Sequence, residues 1–122
     1  MMDFFIINGI QWRVETVDSD SPYLIDRTHQ YKLATTDPNT FTIYLSNRIP
    51  ESMSDRVLIH EIGHCVIFSY DLFDIIHEMV KPEYWIDMEE WICNFLADYG
   101  FMAYSIAKSI HIVPAELEKL VA

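Results

Sequence analysis

Positive charge is scarce. The 122 residues carry 8 Lys and Arg against 19 Asp and Glu, a formal net charge of -11. A surface of that sign repels phosphate backbones, so direct nucleic-acid binding is not expected. Cysteine is scarce too: Cys65 and Cys93 form no CxxC pair and no disulfide framework. Both sit in apolar, helical surroundings and read as reduced core residues of an intracellular protein. No apolar run is long enough and free enough of charge to span a membrane. The opening MMDFFIINGI has no basic n-region and no small-residue cleavage site, so it does not read as a signal peptide. Repeats, low-complexity runs and interdomain linkers are missing. What remains is one domain of ordinary size, 1–122, with the cytoplasm as its expected compartment. Half of it is hydrophobic and 14% is aromatic, enough to build a core.

The two halves differ in texture. Up to about residue 47 the pattern is one of strands and turns. Phe4–Ile7, Asn8-Gly9 and Gln11–Val17 read as a hairpin, because both turn positions tolerate positive φ. Residues 18–27 are polar, contain Pro22 and read as a loop. Tyr31–Thr35 and Phe41–Leu45 flank a second turn built on Asp37-Pro38-Asn39. From residue 50 the texture is helical. Ser52 or Ser54 can cap a helix reaching about Tyr70. A short helix is expected over 71–80, a long one over 84–108 after Pro82, and a last one over 115–121 behind Pro114. The expected fold is α+β: a small antiparallel sheet from N-terminal hairpins, then a helical half.

Most of the run RVLIHEIGHCVIF, residues 56–68, is oily enough for a buried helix. Burying its imidazoles and carboxylate without partners would be costly. His60-Glu61-Ile62-Gly63-His64 is an H-E-x-x-H motif. A spacing of four puts both imidazoles on one helix face, one turn apart, where they can bind one metal ion. Val57, His64 and Phe68 point in nearly the same direction at 100° per residue, so the histidines belong to an inward side. Glu61 is offset and can reach a water on the metal. Two neutral imidazoles suit zinc. A lone buried histidine is more often a satisfied core residue than a ligand. A matched pair with a glutamate between them is a different case.

A catalytic zinc needs a third protein ligand and one open position. On a helical wheel of 84–108, Ile86, Cys93, Ala97, Phe101 and Tyr104 form an apolar stripe, with Glu90 inside it, Asn94 at its edge and Glu89 off it. Glu90 is therefore preferred over Glu89 as third ligand. Asn94 could hydrogen-bond a ligand histidine from behind. The alternative is that both glutamates are solvated charges favouring the helix N-terminus.

These residues resemble the ImmA/IrrE family of zinc metallopeptidases, gluzincins whose site is related to that of thermolysin. His60–His64 is followed by Glu90-Trp91-Ile92-Cys93-Asn94-Phe95-Leu96-Ala97, close to a second signature E-x-x-A-N-x-F-A, with Cys93 and Leu96 as departures. The likeness spans roughly residues 30–105. Small family members are often encoded by phages and mobile elements. The resemblance implies a hydrolase: Zn2+ held by His60, His64 and Glu90, with Glu61 as general base on a zinc-bound water, hydrolysing a peptide bond in a protein or peptide substrate. Tyr44, Tyr99, Tyr104 and His111 could each support the oxyanion, and strand Phe41–Leu45 could offer an edge to an extended peptide.

Other residues have plainer readings. His29 is expected in an exposed loop and His77 on the short helix. Gly63 is costly within a helix and implies close approach of another backbone. Two further functions compete with the peptidase. One is a catalytically silent module that keeps zinc and holds a protein partner in the cleft. The other is a purely structural zinc site, which normally closes with four protein ligands and has no need of Glu61.

Overall fold

The computed structural model describes residues 3–110. Strands β1 (Asp3–Ile7), β2 (Ile10–Val17), β3 (Ala34–Asp37) and β4 (Thr42–Ser46) precede helices α1 (Ser54–Ser69), α2 (Phe73–Met79), α3 (Trp85–Phe95) and α4 (Phe101–Ser109). The fold is α+β, with the sheet N-terminal and the helices C-terminal. The helix expected over 115–121 lies outside the described residues.

Asn8 and Gly9 close the first hairpin with positive φ at both positions, 49° and 79°. The second hairpin starts later than its sequence suggests. Tyr31 makes only an isolated bridge with Ile25, and β3 begins at Ala34. The sheet order is β1-β2-β4-β3, and β4 runs parallel to β2. The expectation of a purely antiparallel sheet is therefore corrected: both hairpins are antiparallel, but they join through a parallel pair. Residues 18–33 cross over and place β3 at the outer edge. The reason is burial. Thr42, Ile43, Tyr44 and Ser46 of β4 are all buried, so β4 takes the interior position. The edge expected at Phe41–Leu45 is covered on both sides and belongs instead to β3.

Helix α1 is the centre of the domain and is used on three sides. Cys65, with Leu58 and Ile62, packs on Trp12 and Ile43 of the sheet. Ile67 packs with Ile76 and Cys93 against α2 and α3. The remaining side, with Val57, His60, Glu61, His64 and Phe68, faces a cleft. A helix enclosed on so many sides is apolar nearly all round. Its start is not capped by a serine side chain: a 3-10 turn over Glu51–Met53 leads in, and Ser54 Oγ donates back to Glu51 O. Trp12 donates its indole N–H to Ser69 Oγ at 2.8 Å, and Asn8 Nδ2 donates to Ser69 O, which fixes the first hairpin to the end of α1.

The long helix expected over 84–108 is interrupted. A π-helical turn over Leu96–Gly100 separates α3 from α4. The inward face of α3 is carried by Glu89 and Cys93, not by the stripe through Ile86, Phe101 and Tyr104, which are exposed. Phe101 and Tyr104 belong to α4, beyond the π turn, and of the stripe within α3 only Cys93 is buried.

Candidate metal centre

Gly63 sets how closely α1 and α3 approach. A Cβ there would lie 3.0 Å from Cys93 Sγ and 3.5 Å from Cys93 Cα. This contact brings His60 and His64, on either side of Gly63, over Glu89 and Glu90, on the turn before Cys93. His60 Nε2 and His64 Nε2 are 3.2 Å apart. Glu90 Oε2 lies 3.1 Å from His60 Nε2, and Glu90 Oε1 lies 3.3 Å from His64 Nε2.

Glu90 thus meets the two imidazoles through different oxygens, Oε2 toward His60 and Oε1 toward His64. One donor atom from each residue lies within 4.8 Å of the others, close enough to converge on one small dication. His60, His64 and Glu90 could therefore hold a metal ion.

Glu89 takes the role expected of Asn94. His64 Nδ1 lies 2.5 Å from Glu89 Oε2. An ionised carboxylate only accepts, so His64 donates from Nδ1 and its Nε2 is left to face the other two donors. Asn94 also lines the cleft, but its Oδ1 accepts from Arg56 Nη2 at 3.3 Å. His60 Nδ1 is buried with no hydrogen-bond partner among the described residues, so Asn94 orients neither histidine. The sequence does place Glu89 next to Glu90; only the true inward face of α3 shows that both carboxylates point at α1.

Arg27 was not singled out in the sequence. Its guanidinium donates to Glu89 Oε1 at 3.1 Å and Glu90 Oε1 at 3.3 Å. It reaches them from a loop organised by Asp26, whose Oδ1 accepts from the Thr28 N–H, the Thr28 hydroxyl and the Gln30 N–H. Thr36 of β3 donates its hydroxyl to Glu61 Oε1 at 2.9 Å, tying the edge strand to α1.

The charge states follow from these contacts. Burial raises the pKa of Glu61 above the usual carboxylate range, against the pull of His64, His60 and Thr36. Hydrogen bonds from His60 and His64 hold Glu90 well below that range. Burial works against ionised Glu89, but His64 and Arg27 outweigh it and lower its pKa. Burial also opposes a charged His64, yet Cys93, Glu89 and Glu90 push its pKa up to about 12.

The cleft over these residues has a volume of about 850 Å³. Leu33–Pro38 form one wall and α1 its floor, with Glu89 and Glu90 at the far side. Of the residues considered for oxyanion support, Tyr44 lines the cleft but is buried and stacked on Tyr23 at 4.5 Å. Tyr99 and Tyr104 do not line it, and His111 lies outside the described residues. His77 stacks on Trp85 at 3.7 Å instead of entering the site. No helix among the described residues is long and apolar enough to cross a membrane. No protein-family model, no curated protein and no solved structure matches this chain.

Proposed function

We propose that this chain is a zinc-dependent peptidase acting on a protein or peptide substrate. The observation that carries the reading is the placement of Glu61. Its carboxylate is buried, held at Oε1 by Thr36, with Oε2 3.8 Å from His60 Nε2. A glutamate beside a three-donor cluster, yet not part of it, has no use in a purely structural site. Two imidazoles and one carboxylate, with a cleft on the open side, match the donor set of a catalytic zinc.

Zinc bound there would supply Lewis acidity toward a scissile carbonyl and lower the pKa of a coordinated water. His60, His64 and Glu90 would hold the ion, with Glu89 fixing the His64 tautomer. Glu61 takes a proton from the attacking water and passes it to the leaving amine; a carboxyl with a raised pKa is suited to both transfers. The substrate lies along β3. Leu33 O accepts from Ser46 N, so by antiparallel alternation Ala34 and Thr36 turn their backbone groups away from β4, toward the cleft edge. An extended peptide added there passes over His60 and Glu61. The resemblance of His60–His64 and Glu90–Ala97 to the ImmA/IrrE peptidases agrees with this reading.

The test is turnover of an unstructured protein by the zinc-loaded chain and by Glu61→Gln. Loss of about 10²–10⁴-fold in rate with zinc still bound supports the peptidase. Cleavage unchanged in Glu61→Gln would discard Glu61 as the base. A zinc-bound chain that cleaves nothing but binds a partner equally well with either residue would favour the silent binding module.

A further inference from the structure

Beyond the cleft, the arm formed by α3, the π turn and α4 carries most of the exposed apolar surface of the helical half. Nine large apolar side chains between Trp91 and Ile110 are each between 39% and 71% exposed. Trp91, Phe95 and Tyr99 form a ladder of rings with centroids 5.3 and 5.5 Å apart. Every residue from Phe101 to Ile110 is exposed. An exposed apolar surface of this extent marks a site that another surface covers. None of these nine side chains lines the cleft.

Charge and area indicate what covers them. Residues 91–110 contain one acid, Asp98, and one base, Lys108, so this arm is neutral in a chain of net charge -11. Asp98 is already paired with Arg56 at 2.6 Å, and Lys108 Nζ lies over the Tyr104 ring. A basic partner or an anionic membrane would select a charged face, and this face has no charge to offer. Two copies of an acidic chain repel one another except where they meet through a neutral face. The nine side chains expose roughly 100 Å² each, about half of what a large side chain carries, or about 900 Å² together. A stable interface needs about 800 Å² from each partner.

We infer that the chain is a homodimer built on this arm, α4 of each copy lying on the Trp91–Phe95–Tyr99 ladder of the other about a two-fold axis. Such an isologous contact uses the same two surfaces on both copies. It leaves both clefts open and does not depend on the metal site or on the peptidase reading.

Sedimentation velocity of the full chain at micromolar concentration tests it. The expected species has twice the 14.4 kDa chain mass. Phe101→Glu with Tyr104→Glu on α4, and separately Trp91→Glu on the ladder, are expected to weaken dimerisation by about 10-fold or more each. All three positions are exposed, and circular dichroism with the emission of buried Trp12 verifies that the fold is kept. A monomer at every concentration overturns the inference, and hydrogen-exchange protection of α4 in that monomer would assign the cover to the chain's own residues 111–122. A dimer indifferent to both variants overturns it as well. So does a monomer that floats with phosphatidylcholine vesicles, which would make a neutral lipid surface the occupant.

Discussion

Gly63 on α1 lies against Cys93 on α3 so closely that a Cβ at position 63 would meet the Cys93 sulfur at 3.0 Å. The two helices can touch only because one has no side chain there. The contact sits one residue from His64 and three from Glu90, so it sets the gap that the histidines and glutamates span.

Gly63→Ala should therefore destabilise the chain by about 1–3 kcal/mol, although alanine is the better helix former. Cys93 is fully buried and cannot move aside. In a Cys93→Ala background the sulfur is gone, and the same Gly63→Ala change should stabilise by about 0.5–1 kcal/mol. Urea unfolding of the four proteins in this cycle reads the reversal of sign.

Metal content separates ligands from their supports. One ion per chain is expected, with binding abolished or severely weakened in His60→Ala and Glu90→Ala. Glu89→Ala keeps all three donors but frees the His64 ring, and should weaken binding by about 10–100-fold. Chelator competition distinguishes these two levels of loss. Equal losses at Glu89 and Glu90 would place Glu89 among the ligands.

Trp12 and Ser69 join the sheet to the end of α1 by a buried hydrogen bond of 2.8 Å. Ser69→Ala leaves the indole N–H without a partner in the core. The expected cost is about 1–3 kcal/mol, measured by chemical denaturation. Metal content should not change, because Ser69 lies more than a helical turn beyond His64.

Asp26 gives the Arg27 loop a pH dependence. Burial works against its ionised form, but hydrogen bonds from Thr28 and Gln30, with Lys32 nearby, outweigh this and hold its pKa below the ordinary value. A carboxyl depressed in the folded state adds stability above its unfolded pKa of about 3.9, and loses it as pH falls through the lower folded value. Asp26→Ala should therefore be less stable than the parent at pH 7, and the difference should shrink below about pH 4. Thermal unfolding across that range measures it.

Much of the helical half can be read from the chain itself. A spacing of four places His60 and His64 on one face whatever surrounds them. Asn8-Gly9 requires a hairpin because few other pairs accept positive φ twice in succession. The order of strands then helices follows from the change of hydrophobic period near residue 50. Gly63 announced a close approach, though not the residue that approaches.

Pairings between distant segments were decided only in three dimensions. Whether β4 is an edge or a central strand depends on which neighbour best buries Thr42, Ile43 and Tyr44, and no local pattern encodes that. The π turn over Leu96–Gly100 ends the simple periodicity of α3, so Phe101 and Tyr104 do not share a face with Cys93. Arg27 and Glu89 meet through tertiary packing alone. Their roles rest on packing across 62 residues of chain, where sequence spacing carries no geometric information and only the folded contacts determine which charges meet.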